Sequence, residues 1–171
     1  MSEIQSTRDW FATSGQIPYD AAPSVRQAAF YTGMQLEEVA EKLTEVFGPM
    51  DYAATLIQAL QITGELFKNG TYDQIVEVAL ENNAKGMLDA DLDLIWVSIG
   101  AGAAQAADVA GAYGEVGRAN WDKFPDGVVT RHPTTGKVVK PEGWRGPDLL
   151  PFIHASLRQP ATDAVIKQPG A

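Results

Sequence analysis

The chain has no cysteine among its 171 residues, so it carries neither a disulfide framework nor a thiolate metal site. Histidine is almost as scarce. The only two, His132 and His154, fall in the C-terminal part, and no Glu-x-x-His pair occurs. That pattern counts against imidazole-bound transition metals and against a ferritin-like di-iron bundle. Long apolar runs are missing too: none reaches the ~20 residues of a membrane-spanning helix. The opening MSEIQSTRDWF puts acidic and polar residues where a signal peptide carries basic ones before a hydrophobic stretch, so a cytoplasmic setting without membrane partners is expected. Positive charge is also in short supply. Thirteen Lys and Arg face 22 Asp and Glu, a formal net charge of -9. Nonspecific nucleic-acid binders need a basic surface to displace counterions, so no nucleic-acid partner is expected.

What the chain does have is an ordinary globular balance, 45% hydrophobic and 20% charged, in a length that suits one domain with room for an appendage. Residues 1–23 form an N-terminal segment with an amphipathic stretch around Trp10 and Phe11. Residues 24–124 read as a helical bundle. The first long helix, VRQAAFYTGMQLEEVAEKLTEVF, is ended by Gly48-Pro49, and Leu36, Val39, Ala40, Leu43 and Val46 predict its buried stripe. A second helix is predicted over 51–68, stopped at Asn69-Gly70. A third begins at Tyr72 and is loosened at Asn82-Asn83 and Gly86. It turns strongly apolar from Met87, with Leu88, Leu92, Ile95 and Ile99 as a stripe. Asp108 is a natural N-cap for a last helix running to Lys123 or Phe124, where Gly111, Gly114 and Gly117 either weaken it or admit a close neighbour. Residues 125–171 form an arm and tail: VVTRHPTTGKVVK reads as a short hairpin, PEGWRGPD as a rigid loop, DLLPFIHASL as a closing helix and the final stretch as mobile.

Two carboxylate clusters carry the chemical interest. Glu37, Glu38 and Glu41 lie within one turn of each other on the first long helix. Asp89 and Asp93 are four residues apart and share a face, with Asp91 roughly opposite. Beside apolar stripes, such clusters sit near a core boundary, where mutual repulsion and lost hydration favour a bound cation. Hard oxygen ligands suit Mg²⁺, or Mn²⁺ in its place. Taken alone, the glutamates are better explained as a plain solvated helix face, a reading that is weaker for Asp89 and Asp93 because Asp is a poor helix former and their surroundings are apolar. A cationic set follows: Arg118, Asn120 and Lys123 near the end of the last helix, then Lys137 and Lys140 in the arm. These suit phosphate, although cations at a helix C-terminus also answer the helix dipole. Trp10, Trp121 and Trp144 are either base-stacking platforms or core fillers.

The segments EEVAEKL, DADLDLIWVSIGAG, DVAGAYGEVGRANWDKF and TGKVVKPEGWRGPD resemble, in that order, the motifs of the MazG-like all-α NTP pyrophosphatases. The phosphoribosyl-ATP pyrophosphohydrolase-like branch of bacteria and phages is the most similar. The matching positions are Glu37, Glu38 and Glu41; Asp89, Asp93, Trp96 and Gly100; Glu115, Val116, Asn120 and Lys123; and Gly136, Lys137, Val138, Lys140, Pro147 and Asp148, spread over about residues 30–150. One departure stands out. The E-x-x-D pair frequent on the second metal helix is absent, since Gly86 precedes Asp89 and Ala90 precedes Asp93 by three.

The resemblance implies an all-α bundle that assembles as a homodimer or homotetramer in a bacterial or phage-infected bacterial cytoplasm. It implies Mg²⁺ held by Glu38, Glu41, Asp89 and Asp93, with Asn120, Lys123, Lys137 and Lys140 binding substrate. Glu37 and Glu38 would be catalytic, with water activated by the metal or by Glu37. The expected reaction releases pyrophosphate from a nucleoside or deoxynucleoside triphosphate. The alternatives are a phosphoribosyl-ATP or modified-nucleotide hydrolase, or a non-catalytic nucleotide-binding protein.

Overall fold

The structure, a computed structural model, describes residues 2–48, 53–133 and 138–158. Among these residues the protein is all-α. Five α-helices are present: α1 (Glu3–Thr13), α2 (Val25–Phe47), α3 (Ala54–Lys68), α4 (Asp73–Ala104) and α5 (Val109–Trp121). The chain divides into two compact units, Ala21–Asp93 and a second made of Met1–Asp20 with Leu94–Ala171. This grouping differs from the chain-order division at residues 23 and 124. The N-terminal segment packs on α5 rather than standing alone, and the unit boundary falls inside α4.

In the Ala21–Asp93 unit, α2 and α3 form an antiparallel helical hairpin. Ser24 caps α2 by accepting from the Gln27 amide at 3.2 Å. The inward stripe of α2 is Ala29, Gly33, Leu36 and Ala40, with Leu43 and Phe47 half-buried, a steady alternation of four- and three-residue steps. The expectation that Val39 and Val46 share this face is corrected: both are exposed. Facing this stripe, α3 turns Ala53, Ile57, Leu60 and Gly64 inward, Ala53 and Gly64 being buried. The backbones nearly touch at the crossing. A Cβ on Gly33 would lie 2.6 Å from the Gly64 carbonyl, so side chains are excluded there and small residues set the packing distance.

Arg26 then ties three segments together. Its guanidinium donates to the Phe67 carbonyl at 2.9 Å, to the Lys68 carbonyl, and to Asp73 at 2.6 Å. The orphan carbonyls at the end of α3 are thereby satisfied and the first turn of α4 is pinned. Gly70, at φ +94°, makes the intervening turn. Asn83 breaks α4 with φ -149° and ψ 35°, as the Asn-Asn pair suggested.

In the other unit, α1 lies along α5. The Trp10 indole donates to the Asn120 carbonyl at 3.0 Å, and the Trp121 indole to the Ser6 hydroxyl at 3.1 Å. Thr7 and Tyr113 share a 2.8 Å hydroxyl bond. Trp10 stacks on buried Phe124 at 5.3 Å, and Trp121 meets the same ring edge-on at 5.9 Å. Each such aromatic pair adds about 0.5–1.5 kcal/mol beyond the area it covers. Asp108 caps α5 through the Gly111 amide at 3.0 Å, as expected. Of the three glycines in α5, only Gly111 is closely approached, by the ring of Phe152, while Gly114 and Gly117 face open space.

Two C-terminal expectations are corrected. Among the described residues the hairpin arm is an isolated antiparallel bridge between Arg131 and Val138, with the Val139 amide donating to the Thr130 carbonyl at 2.8 Å. The closing helix is two short 3₁₀ turns, Leu150–Phe152 and Ala155–Leu157, since Pro151 cannot donate to an α-helical ladder. Residues 134–137 at the tip of the arm and the tail from 159 onward lie outside the described residues.

Candidate functional site

The Ala21–Asp93 unit carries both carboxylate clusters. Glu37, at the rim of the α2–α3 contact, accepts from the Lys68 ammonium at 2.9 Å. Lys68 also binds Glu65 at 2.7 Å. Burial pulls the Lys68 ammonium down, but its hydrogen bonds to Glu65 and Glu37, with their charges, outweigh it and leave its pKa raised. Lys68 was not among the residues singled out from sequence. Its position at the end of α3, one helix away from Glu37, becomes meaningful only once the hairpin closes.

Glu38 and Glu41 stand on the exposed side of α2. Partial desolvation, followed by the charges of Glu41 and Glu37, pushes the Glu38 carboxyl above its ordinary value. Three carboxylates within one helical turn thus repel one another, although Glu37 is paired with Lys68. Asp89 and Asp93 are exposed on α4, as is Asp91. The expectation that both clusters sit at a core boundary is corrected. Between Asn83 and Asp93 no residue of α4 is buried. The residue that reaches α2 is Asp91, accepting from the Gln35 amide at 2.9 Å. Among the described residues no three acidic or imidazole side chains converge as a ready metal cage. The oxygen donors suit Mg²⁺ chemically, but they form one acidic cluster on α2 and another on α4.

The second unit gathers the cations. Asn120 and Lys123 come together as expected, the ammonium donating to the amide oxygen at 2.7 Å. Lys123 also lies 5.9 Å from the Trp10 ring and 5.5 Å from the Trp144 ring, and Lys140 lies 4.5 Å from Trp144. Desolvation, then the Lys140 charge, lowers the Lys123 pKa. Neither lysine has a carboxylate partner among the described residues. Lys137, the remaining candidate, lies outside the described residues.

The indole of Trp144 is fixed by donation to the Ala119 carbonyl at 2.6 Å. The loop carrying it is braced by Glu115, which accepts from the Asp148 amide at 2.9 Å and pairs with Arg118 at 2.6 Å. Arg118 and then the Asp148 amide hold the Glu115 carboxyl down at about 2. Arg118 also pairs with Asp122. The sequence offered Glu115 only as a motif position, and its bracing role depends on a contact 33 residues away.

The class these features define is an all-α protein with an acidic helix surface in one unit and an aromatic-cationic cluster in the other. No family model matches the chain, and no curated protein or solved structure shows significant similarity to it.

Proposed function

We propose that the protein is a metal-dependent nucleoside or deoxynucleoside triphosphate pyrophosphohydrolase of the MazG-like all-α type. The observation that carries this reading is the cationic cluster. In a chain of net charge -9, Arg26, Lys68 and Arg118 are matched to carboxylates, whereas Lys123 and Lys140 share one indole without a carboxylate partner among the described residues. Two adjacent ammonium groups, one already losing hydration, are stabilised by an anion. Asn120 orients Lys123 toward it.

Glu38 and Glu41, with Asp89 and Asp93, supply the hard oxygen donors for Mg²⁺ or Mn²⁺. When bound, such a cation neutralises triphosphate charge and lowers the pKa of its water. Glu38, whose pKa is raised by desolvation and then by the charges of Glu41 and Glu37, is the carboxylate placed to respond to that charge. The uncovered apolar face of α4 supports assembly as a homodimer or homotetramer.

A second reading, nucleotide binding without turnover, draws on Glu37. Its ion pair with Lys68 occupies the carboxylate that would otherwise take a proton from water. A panel of NTPs and dNTPs, each incubated with and without Mg²⁺, separates the two. Metal-dependent release of monophosphate and pyrophosphate is expected. Asp93→Asn should lower the rate at least a hundredfold while leaving thermal stability intact. Tight nucleotide binding with no turnover of any substrate would establish the second reading instead.

A further inference from the structure

Beside the two lysines, Trp144 borders an open groove of about 460 Å³ between the end of α5 and the loop 141–145. That volume falls within the roughly 300–1,000 Å³ of small-molecule sites. Its apolar half is formed by Trp121, Phe124, Pro125, Pro141 and Trp144. The polar residues around it are asymmetric in their commitments. Arg118 and Asp122 neutralise each other. Glu142 and Arg145, both exposed, have no ion pair among the described residues.

From this geometry we propose that the groove holds the base of a nucleotide, stacked against Trp144, while its phosphate lies on Lys123 and Lys140. The inference deepens the proposed function and rests on it for the choice of a nucleotide as ligand. Three observations argue for this division of the ligand. The indole is anchored at its N–H, so it presents a preset ring surface and stacking orders little. The groove's own charges balance, Arg118 against Asp122 and Glu142 against Arg145, so it offers a phosphate no net attraction, while the Glu142 carboxylate can accept from ring N–H groups. The lysines, by contrast, are within 6 Å of the same indole and carry the uncompensated positive charge. A sugar-phosphate alone therefore uses only half of the site.

The test uses the full chain in EDTA, so that no turnover intervenes, and measures binding of AMP, GMP, CMP, UMP and ribose 5-phosphate by calorimetry. At least one nucleotide is expected to bind ten-fold or more tightly than ribose 5-phosphate. Trp144→Leu should reduce that ratio to two-fold or less, and Lys140→Ala should weaken nucleotide and sugar-phosphate alike. Because Trp144 also anchors to Ala119, its loss could unfold the loop. The indole N–H resonances of the wild-type protein give a readout free of substitution. Nucleotides should shift those of Trp144 and Trp121, and ribose 5-phosphate should leave Trp121 unmoved. Equal binding of nucleotides and ribose 5-phosphate, or no indole shift, would overturn the groove assignment. Pyrophosphate release with no such selectivity leaves the hydrolase standing and removes the groove, whereas ring-selective binding without turnover does the reverse.

Discussion

Glu115 shows how one side chain turns a helix and a loop into a single support. It joins the Arg118 guanidinium and the Asp148 amide, and the two together hold its carboxyl near 2 against an ordinary 4.5. A depressed folded pKa contributes stability that is present in full above 4.5 and lost as pH falls through about 2. Glu115→Gln should therefore lower the melting temperature at neutral pH, with the gap closing between pH 4.5 and 2 as the wild-type carboxylate protonates. Thermal melts at half-unit pH intervals would detect this. A gap that stays constant down to pH 2 would mean that the ion pair is not the source. The Glu115 side chain is half-buried but its partner Arg118 is exposed, so the effect belongs to the loop more than to global stability.

Helix packing here depends on the absence of side chains as much as on their presence. Where α2 crosses α3, Gly33 and Gly64 let the backbones meet, and a methyl at Gly33 would strike the Gly64 carbonyl at 2.6 Å. Gly33→Ala should destabilise the hairpin by about 1–3 kcal/mol, since the obstacle is backbone and cannot swing aside. Gly114→Ala is the matched control. It sits in α5 with nothing near its missing Cβ, so the same change should stabilise by about 0.5–1 kcal/mol through helix propensity. Urea titration of both variants checks the pair, and equal effects would remove the close-approach argument. These glycines differ in kind although they look alike in sequence.

For the whole molecule, the question is where its apolar surface goes. Among the described residues four of the six buried apolar ones are alanines, and no large side chain is fully buried. Meanwhile Leu88, Leu92, Ile95 and Ile99 are each more than half exposed, and Trp96 is 79% exposed. Covering a Leu or Ile side chain is worth roughly 1.5–3 kcal/mol, so a stripe of this length favours a partner with a matching uncharged face. In the proposed homo-oligomer a second copy would supply that face. Leu92→Glu with Ile99→Glu should convert an oligomer into monomers, raising the dissociation constant at least about a thousandfold, as read by sedimentation velocity. A wild-type chain that sediments as a monomer at tens of micromolar would refute the assembly. Among the described residues no single helix is long and apolar enough to cross a membrane.

Helix existence was legible in the chain because it is set locally. The Gly48 and Asn69-Gly70 stops, the Asp108 cap and the Asn83 break all act within a few residues of themselves. The close association of Asn120 with Lys123 was equally legible, being one helical turn apart. Long-range facts were not. Periodicity marked Val39 and Val46 as inward, but the face of α2 that α3 covers is decided by Gly33 and Gly64, which no hydrophobic pattern weights. The pairing of Glu37 with Lys68, the reach of Asp91 rather than Asp89 to α2, and the anchoring of Trp144 on the Ala119 carbonyl each join residues far apart in the chain. By itself the sequence determined that the protein is helical, acidic and rich in candidate oxygen ligands. Only tertiary packing decided which of those charges are spent on one another and which remain for a ligand, because an ion pair depends on distance and a sequence does not contain one.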